Sequence, residues 1–400
     1  MTNETNNSEL QTPNSELPPG WRWVKLGEVC SRTENRDPRT TPDLPFRYVD
    51  ISSIDNHSKR IIEARIIQGK DAPSRARQVI KANDVIVATT RPNLNAVALV
   101  PEELDNEICS TGFCILRPTE LIDPSFLFTF VQSKYFIEEI SGQVRGMLYP
   151  AVTDNQVRNV YLALPSLSEQ KRIAAKIQEL MQEVERARSA CEKQSEAAKA
   201  LADAYLREVF ESEGAKKWER KKLGEVCEII MGQSPPSNSY NKERAGLPFF
   251  QGKADFGVYS PMPQVWCSNP MKISEANDIL ISVRAPVGPV NMADQKCCIG
   301  RGLTALRGNI NINSWFVFFY FRSIENNWEG RGSTFDAIRK KDLEGISIPC
   351  PSLSEQNIAT SYLKQKFEEI ENLQSAIQNQ QSALSALPQS ILRKAFSGEL

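Results

Sequence analysis

The chain has 400 residues, 40% hydrophobic and 24% charged, a globular composition that excludes a disordered or fibrous chain. At roughly one domain per ~150 residues it predicts more than one hydrophobic core. Forty-eight basic against 49 acidic residues leave a net charge of -1, which excludes a histone-like polycation but allows local basic surfaces.

Residues 1–19 form a polar, acidic leader expected to be disordered. It lacks the apolar core of a signal peptide, and no later run approaches the ~18 apolar residues of a membrane span, so a cytoplasmic location is expected. Residues 20–164 read as a first α/β block. The block holds the word Lys25-Leu-Gly-Glu-Val-Cys30, β-rich runs at Asp84–Ala88 and Ala96–Val100 bounded by Pro, Gly and Asn, and an aromatic helical stretch at Pro124–Ile140. After a helix over 165–210 and a linker at 211–217, a second block spans 218–350. There the word returns as Lys222-Leu-Gly-Glu-Val-Cys227, followed by β-rich runs Asp278–Val283 and Leu303–Leu306 and a helical stretch Ile312–Ile324.

The echoes continue. Trp21 matches Trp218, and Asn83-Asp-Val-Ile-Val-Ala-Thr-Thr-Arg91-Pro92 resembles Asn277-Asp-Ile-Leu-Ile-Ser-Val-Arg284-Ala-Pro286. Pro165-Ser-Leu-Ser-Glu-Gln170 recurs as Pro351-Ser-Leu-Ser-Glu-Gln356. Two identical six-residue words in the same order mark an internal duplication. The fold class expected is mixed α/β: two homologous small α/β domains joined by two long antiparallel coiled-coil helices, with a pseudo-two-fold internal repeat.

The helices of 165–210 and 351–400 begin at Ser166 with Glu169 and Ser352 with Glu355, the pattern of a capping box. From there glycine and proline nearly vanish. Spacings of four and three then mark a seam through Ile177, Leu180, Val184 and Gln194, and through Leu363, Ile370, Leu373, Ile377 and Gln380. Gln194 and Gln380 stand at equivalent seam positions, as a polar register device or as a stretch open to solvent or a partner. Pro388 predicts a kink or break late in the second helix. Tyr205, Leu206, Phe210, Ile391, Leu392 and Phe396, near the helix ends, are either an exposed docking surface or a seal against the blocks.

Nine scattered cysteines form no C-x-x-C pair, and His57 is the only histidine, so reduced, buried thiols are expected and no metal site. The chain has no G-x-x-x-x-G-K-[ST] phosphate loop and no Asn-Pro-Pro-aromatic tetrad; Asn269-Pro270 continues as Met271-Lys272.

The opening phrase Gly20-Trp-Arg-Trp-Val-Lys-Leu-Gly-Glu-Val29, the phrase Pro165–Gln170 and the end Leu387-Pro-Gln-Ser-Ile-Leu-Arg-Lys-Ala-Phe-Ser-Gly-Glu-Leu400 resemble the specificity subunits of type I restriction-modification enzymes over residues 20–400. The resemblance implies a non-catalytic reader of a bipartite double-stranded DNA site, with one target-recognition domain per half. It further implies two docked adenine-N6 methyltransferase (modification) subunits and two restriction (translocase-nuclease) subunits. S-adenosylmethionine, ATP and Mg2+ then belong to those partners and no cofactor to this chain. A coiled-coil scaffold with two protein-binding domains is the alternative.

Charge is compatible with DNA: residues 59–91 carry eight basic and three acidic side chains, and residues 218–350 sixteen and thirteen. Arg91, Asn93, Gln251, Arg284 and Arg301, beside predicted strands, are candidates for base edges, because Arg, Asn and Gln make paired contacts there. Lys70, Arg75, Arg77 and Lys253 are further candidate DNA contacts. Arg145 and Arg331 lie in glycine-bearing segments that fit either a phosphate or an ordinary turn.

Overall fold

The computed structural model describes residues 16–142, 151–325 and 338–400. The chain divides into two units, Met1–Ala190 with Gln380–Leu400, and Cys191–Asn379.

In the first unit the strands Cys30–Ser31, Phe113–Pro118, Val85–Ala88 and Val97–Leu99 form one antiparallel sheet in that order. A second sheet runs Arg65–Gln68, Pro45–Val49, Ile108–Ser110, Ala76–Val79, with one parallel pair in the middle. The second unit repeats both. Its first sheet runs Cys227–Met231, Leu303–Gly308, Ile279–Ser282, Val290–Met292. Its second runs Trp266–Cys267, Leu247–Phe250, Cys297–Ile299, Ile273–Ser274, again with one central parallel pair, and adds Tyr240–Asn241 at the edge. Order and direction match strand for strand, so the duplication in the sequence is a duplication of topology. The hairpin Ile54–Asp55 with Arg60–Ile61 occurs in the first unit alone among the described residues.

The repeated words have specific structural roles. Each Lys-Leu-Gly-Glu-Val word buries its Leu and Val: Leu26, Val29, Leu223 and Val226 all lie in the cores. In each Pro-Ser-Leu-Ser-Glu-Gln word the glutamine is buried and ties the long helix to a loop of its own block. Gln170 Oε1 accepts from Asp123 N–H at 2.8 Å while its Nε2 donates to the carbonyls of Leu121 and Pro165 at 3.1 and 3.0 Å. Gln356 does the same with Asn313 N–H at 2.8 Å and the carbonyls of Asn311 and Pro351 at 3.3 and 2.8 Å. Asp123 and Asn313 in turn cap the short helices Pro124–Phe130 and Ser314–Ser323.

The Asn-Asp pairs before Val85 and Ile279 are structural as well. Asn83 and Asn277 take left-handed backbone conformations, φ 69° and 70°, which asparagine tolerates better than other non-glycine residues. Asp84 is 1% exposed and accepts a forked pair from Arg117, Nε to Oδ1 at 3.0 Å and Nη2 to Oδ2 at 2.9 Å. Asp278 pairs with Arg307 in the same way, at 3.0 and 2.8 Å. Each carboxylate raises the pKa of its guanidinium further.

The helical stretch expected over Pro124–Ile140 is two helices, Pro124–Phe130 and Lys134–Gly142. Ser133 Oγ accepts from Phe136 N–H and starts the second. Gln389 of the second long helix fills the gap, its Oε1 accepting from Lys134 N–H and its Nε2 donating to Gln132 O.

The long helices span Leu167–Phe210 and Leu353–Phe396, 44 residues each. The second start is a complete capping box: Ser352 Oγ accepts from Glu355 N–H, and Glu355 Oε2 accepts from Ser352 N–H. The first is half of one, because Glu169 turns its carboxylate to Arg172. Within the first unit the two helices run antiparallel, with Arg172 donating to Leu400 O and Arg188 to Leu384 O. Within the second, the Tyr205 and Tyr362 rings meet edge-on at 6.1 Å and Tyr362 Oη donates to Glu208.

One row of the seam lies as the spacing predicts: Ile177, Val184, Leu363, Ile370 and Ile377 are buried, seven residues apart within each helix, and Leu180 is half-buried. The other row is displaced. Gln194, Leu201, Leu373, Gln380 and Leu387 face solvent, and the residues one position later, Ser195, Ala202, Gln374, Gln381 and Pro388, are half-buried. Gln194 and Gln380 are therefore not seam residues. The displaced row is mostly polar or small, so apolar patterning selects the leucine beside it.

Pro388 does not interrupt the second helix. Proline removes the N–H that would bond the carbonyl four residues earlier, that of Leu384. Arg188 Nη2 reaches this carbonyl at 3.5 Å. Arg188→Ala should cost about 0.5 kcal/mol, and less when Pro388→Ala restores the backbone donor. A thermal-denaturation double-mutant cycle with no coupling would reject the substitution of one donor for the other.

All nine cysteines are free and buried. Burial pushes the Cys30, Cys227 and Cys297 thiols up to about 12. No thiol should react with Ellman's reagent at pH 8 in the folded chain, and nine should react in guanidinium chloride.

Candidate nucleic-acid interface

In each block the same loops gather at one end of the two sheets. In the first block these are Asp50–Ser53 after strand Pro45–Val49, Thr89–Asn95 after Val85–Ala88, and Thr111–Gly112 between Ile108–Ser110 and Phe113–Pro118. Thr89 donates from both N and Oγ1 to Gly112 O, at 2.8 and 2.9 Å, and a Cβ on Gly112 would press the Ile51 side chain at 2.9 Å. In the second block Val283 N–H donates to Gly302 O at 2.9 Å, and a Cβ on Gly302 would collide with the Gln251 carbonyl oxygen. Both glycines let a loop backbone lie directly against its neighbour. One further bond is duplicated: Val152 N–H to Thr89 O, and Ile338 N–H to Val283 O, both 2.9 Å.

This frame is the ungapped register of the sequence words Asn83–Pro92 and Asn277–Pro286. Thr89 is equivalent to Val283, so Thr90 stands where Arg284 does, Arg91 where Ala285 does, and the two prolines 92 and 286 coincide. Matching the arginines shifts the pairing by one residue.

Arg91 is exposed, has a left-handed backbone at φ 50°, and precedes the 3-10 turn Pro92–Leu94, on which Asn93 is also exposed. Asn95 pins that turn: its Nδ2 donates to Val131 O at 2.8 Å and its carbonyl accepts from Lys59 Nζ at 2.6 Å. Burial lowers the Lys59 pKa. Arg284 is exposed beside the cis Ala285–Pro286 bond, and its carbonyl accepts from Ser282 Oγ at 3.1 Å. Neither Arg91 nor Arg284 forms an ion pair with any described residue. The acidic residues of the neighbouring Asn-Asp pairs are taken instead by Arg117 and Arg307.

Gln251, Lys253 and Arg301 reach the same edge of the second block. The Asp255 carboxylate accepts from the N–H groups of Gln251 and Gly252 at 2.6 and 3.2 Å, fixing the turn that exposes Gln251 and Lys253. Arg301 is exposed between Gly300 and Gly302, its N–H donating to Ser234 Oγ. Arg75 is exposed at the first block's edge, where its carbonyl accepts from Thr111 N–H at 2.9 Å. Lys272, absent from the sequence candidates, is exposed one strand away from Gly300, its carbonyl accepting from Ile299 N–H at 3.0 Å. Only the strand pairing reveals it, because no motif surrounds it.

Two candidates lie elsewhere. Arg77 donates to Asp37 Oδ1 at 2.7 Å and is half-buried, a fold contact. Lys70 lies at the other end of strand Pro45–Val49, its N–H bonded to Pro42 O. Arg145 and Arg331 fall outside the described residues. The helix-end residues read as a docking surface are a seal. Leu392 lies in the first block's core with Ile391 packed on it, and Phe396 meets Phe126 and Phe130, both at 5.3 Å. Leu206 lies in the second core, Tyr205 packs on it, and Phe210 meets Phe316 and Tyr320 at 5.3 and 5.6 Å. Each aromatic helix of a block has its exposed side covered this way, which buries apolar area that water would otherwise meet.

A family model described as type I restriction modification DNA specificity domain matches the chain twice, over residues 18–190 and 215–380. The chain is similar to the putative type I restriction enzyme MjaX specificity subunit of Methanocaldococcus jannaschii, 32% identical over 382 residues that cover 88% of each chain. It is similar, at 23% identity over 70% of this chain and 71% of the other, to the EcoDI specificity subunit of Escherichia coli. Among solved structures, the HsdS subunit from Thermoanaerobacter tengcongensis is 47% identical with TM-score 0.74, covering 97% of this chain and 99% of that one. A chain from a structure titled as the basis of complex assembly and conformational transition of the type I R-M system is 48% identical with TM-score 0.87, covering 96% and 100%. With the family model matched once on each block and the topology duplicated between them, the chain belongs to the type I restriction-modification specificity subunits.

Proposed function

We propose that this chain reads the two halves of a bipartite duplex DNA site, one with each block, and docks two adenine methyltransferase subunits and two restriction subunits. The observation that carries the reading is the duplicated strand-end edge, on which exposed basic and amide side chains stand on clamped loops without acidic partners. Such side chains are what phosphates and base edges require. The chain itself is non-catalytic. S-adenosylmethionine, ATP and Mg2+ belong to the partner subunits, and the assembly works in the cytoplasm. No described helix is long and apolar enough to cross a membrane. Leu201, Leu373 and Leu387, 39 to 44% exposed on the long helices, offer apolar contacts to partner helices in place of the sealed helix ends.

Mass measurement of the chain alone and mixed with its methyltransferase tests the docking. A one-to-two complex that methylates adenine within one split sequence is the expected result. An unchanged mass, or methylation without a split motif, overturns the proposal.

A further inference from the structure

The edge of the first block and that of the second are the same scaffold carrying different side chains, and this allows a more specific statement that rests on the DNA-reading function above. In the parallel ladders Val49 pairs with Cys109 and Phe250 with Ile299, so Asp50 and Gln251 occupy one position, each the first residue past its strand. The bonds of Thr89 to Gly112 and Val283 to Gly302 make Thr90 and Arg284 a second pair and Thr111 and Arg301 a third. In each block the three positions adjoin. Gly112 touches Ile51 and bonds Thr89; Gly302 touches Gln251 and bonds Val283.

We propose that these three positions are the base-reading positions of each block, and that the exchange of Asp50, Thr90 and Thr111 for Gln251, Arg284 and Arg301 makes the two half-sites different. The chemistry of each set is distinct. Arg284 and Arg301 are forked donors matched to the O6 and N7 acceptors of guanine, and Gln251 can pair with adenine N6 and N7. Asp50 can only accept, which suits the cytosine amino group, and threonine offers a methyl to thymine and a hydroxyl to either partner. Asp50 keeps acceptor capacity for this: Oδ1 takes Ile51 N–H at 2.8 Å, and its nearest cation, Arg65, is 3.9 Å from Oδ2. The second block's half-site should therefore contain guanine at one or two positions where the first block's half-site, aligned on the same frame, does not.

The full chain assembled with its methyltransferase subunit provides the test. Adenine methylation is profiled on a randomised duplex pool, and binding selection from the same pool reads affinity where methylation is lost. The triple variant Q251D/R284T/R301T should change or relax base preference in one half-site and leave the other unchanged. Arg284→Lys and Arg301→Lys keep the charge and should each lower discrimination for one guanine by roughly ten- to a hundredfold. The single variants decide the matter if circular dichroism shows that the triple variant does not fold. An unchanged motif in all folded variants, or a loss of affinity uniform over every sequence, overturns the assignment and makes these residues phosphate contacts or bystanders. A wild-type complex that selects no split sequence would instead remove the DNA-reading function on which the assignment rests.

Discussion

Arg117→Met is expected to destabilise the first block by about 3–5 kcal/mol, the cost of leaving a buried charge without its partner. Asp84 is 1% exposed; besides Arg117 it accepts only the Lys81 N–H among the described residues, at 2.8 Å. Arg117 also donates to Val79 O at 3.0 Å, so the same substitution orphans a carbonyl at the neighbouring strand. The equivalent Arg307→Met should cost less, about 1–3 kcal/mol, because the Arg307 side chain is 38% exposed against 16% for Arg117 and water can reach its carboxylate partner more easily. Replacing both members, Asp84→Leu with Arg117→Met, should recover part of the loss, since a desolvated pair is worth little more than apolar packing of the same volume. Urea unfolding followed by circular dichroism measures all three variants against the unaltered chain. Equal losses in the two blocks, or a double substitution as costly as the single one, would contradict burial as the source of the difference.

The glutamine staples carry the second large effect. Gln356→Leu removes three hydrogen bonds from a fully buried side chain and leaves Asn313 N–H, Asn311 O and Pro351 O without partners. Each stranded group costs of order 1–3 kcal/mol, so a total of about 2–4 kcal/mol is expected once local relaxation is allowed for. The effect should be local, with faster amide exchange in the first turns of Leu353–Phe396 and Ser314–Ser323 and little change in the sheets. Gln170→Leu should act in the same way on Leu167–Phe210 and Pro124–Phe130. A loss below about 1 kcal/mol with unchanged exchange would show that water replaces the side chain.

The architecture was legible because it is periodic and written twice. The two words, the helix starts at Ser166 and Ser352, and the strand runs after Asn83 and Asn277 all follow from local chemistry. What escaped depends on partners distant in the chain. Arg117 lies 33 residues from Asp84 and Arg307 29 from Asp278, so nothing near either aspartate announces its cation. The seam failed in one row because small or polar Ala202, Gln374 and Pro388 occupy it while Leu201, Leu373 and Leu387 stand beside them, a case in which geometry overrides apolar patterning. At the strand-end edge, Arg91 and Arg284 were both found, and the ungapped words Asn83–Pro92 and Asn277–Pro286 already set Thr90 opposite Arg284; the bonds of Thr89 to Gly112 and Val283 to Gly302 hold the same frame. Arg77 shows the opposite error: its charge is spent on Asp37, which a count of basic residues does not register.

The staples also bear on how recognition blocks could be exchanged. On the block side, Gln170 and Gln356 grip only main-chain atoms: Leu121 O and Asp123 N–H in one case, Asn311 O and Asn313 N–H in the other. The glutamine staple itself therefore makes no demand on which side chains the block carries at those points, although at the second Asn357 Oδ1 also accepts from the Asn313 side chain at 2.7 Å. It asks only for a loop of the right shape leading into a capped short helix. An adapter of this kind lets one shaft accept unrelated heads. A graft designed on this chain should place its junction before Pro165 or Pro351, so that Pro165–Gln170 or Pro351–Gln356 stays with the receiving helix, and should keep in the incoming block the aromatic positions that Phe396 and Phe210 cover.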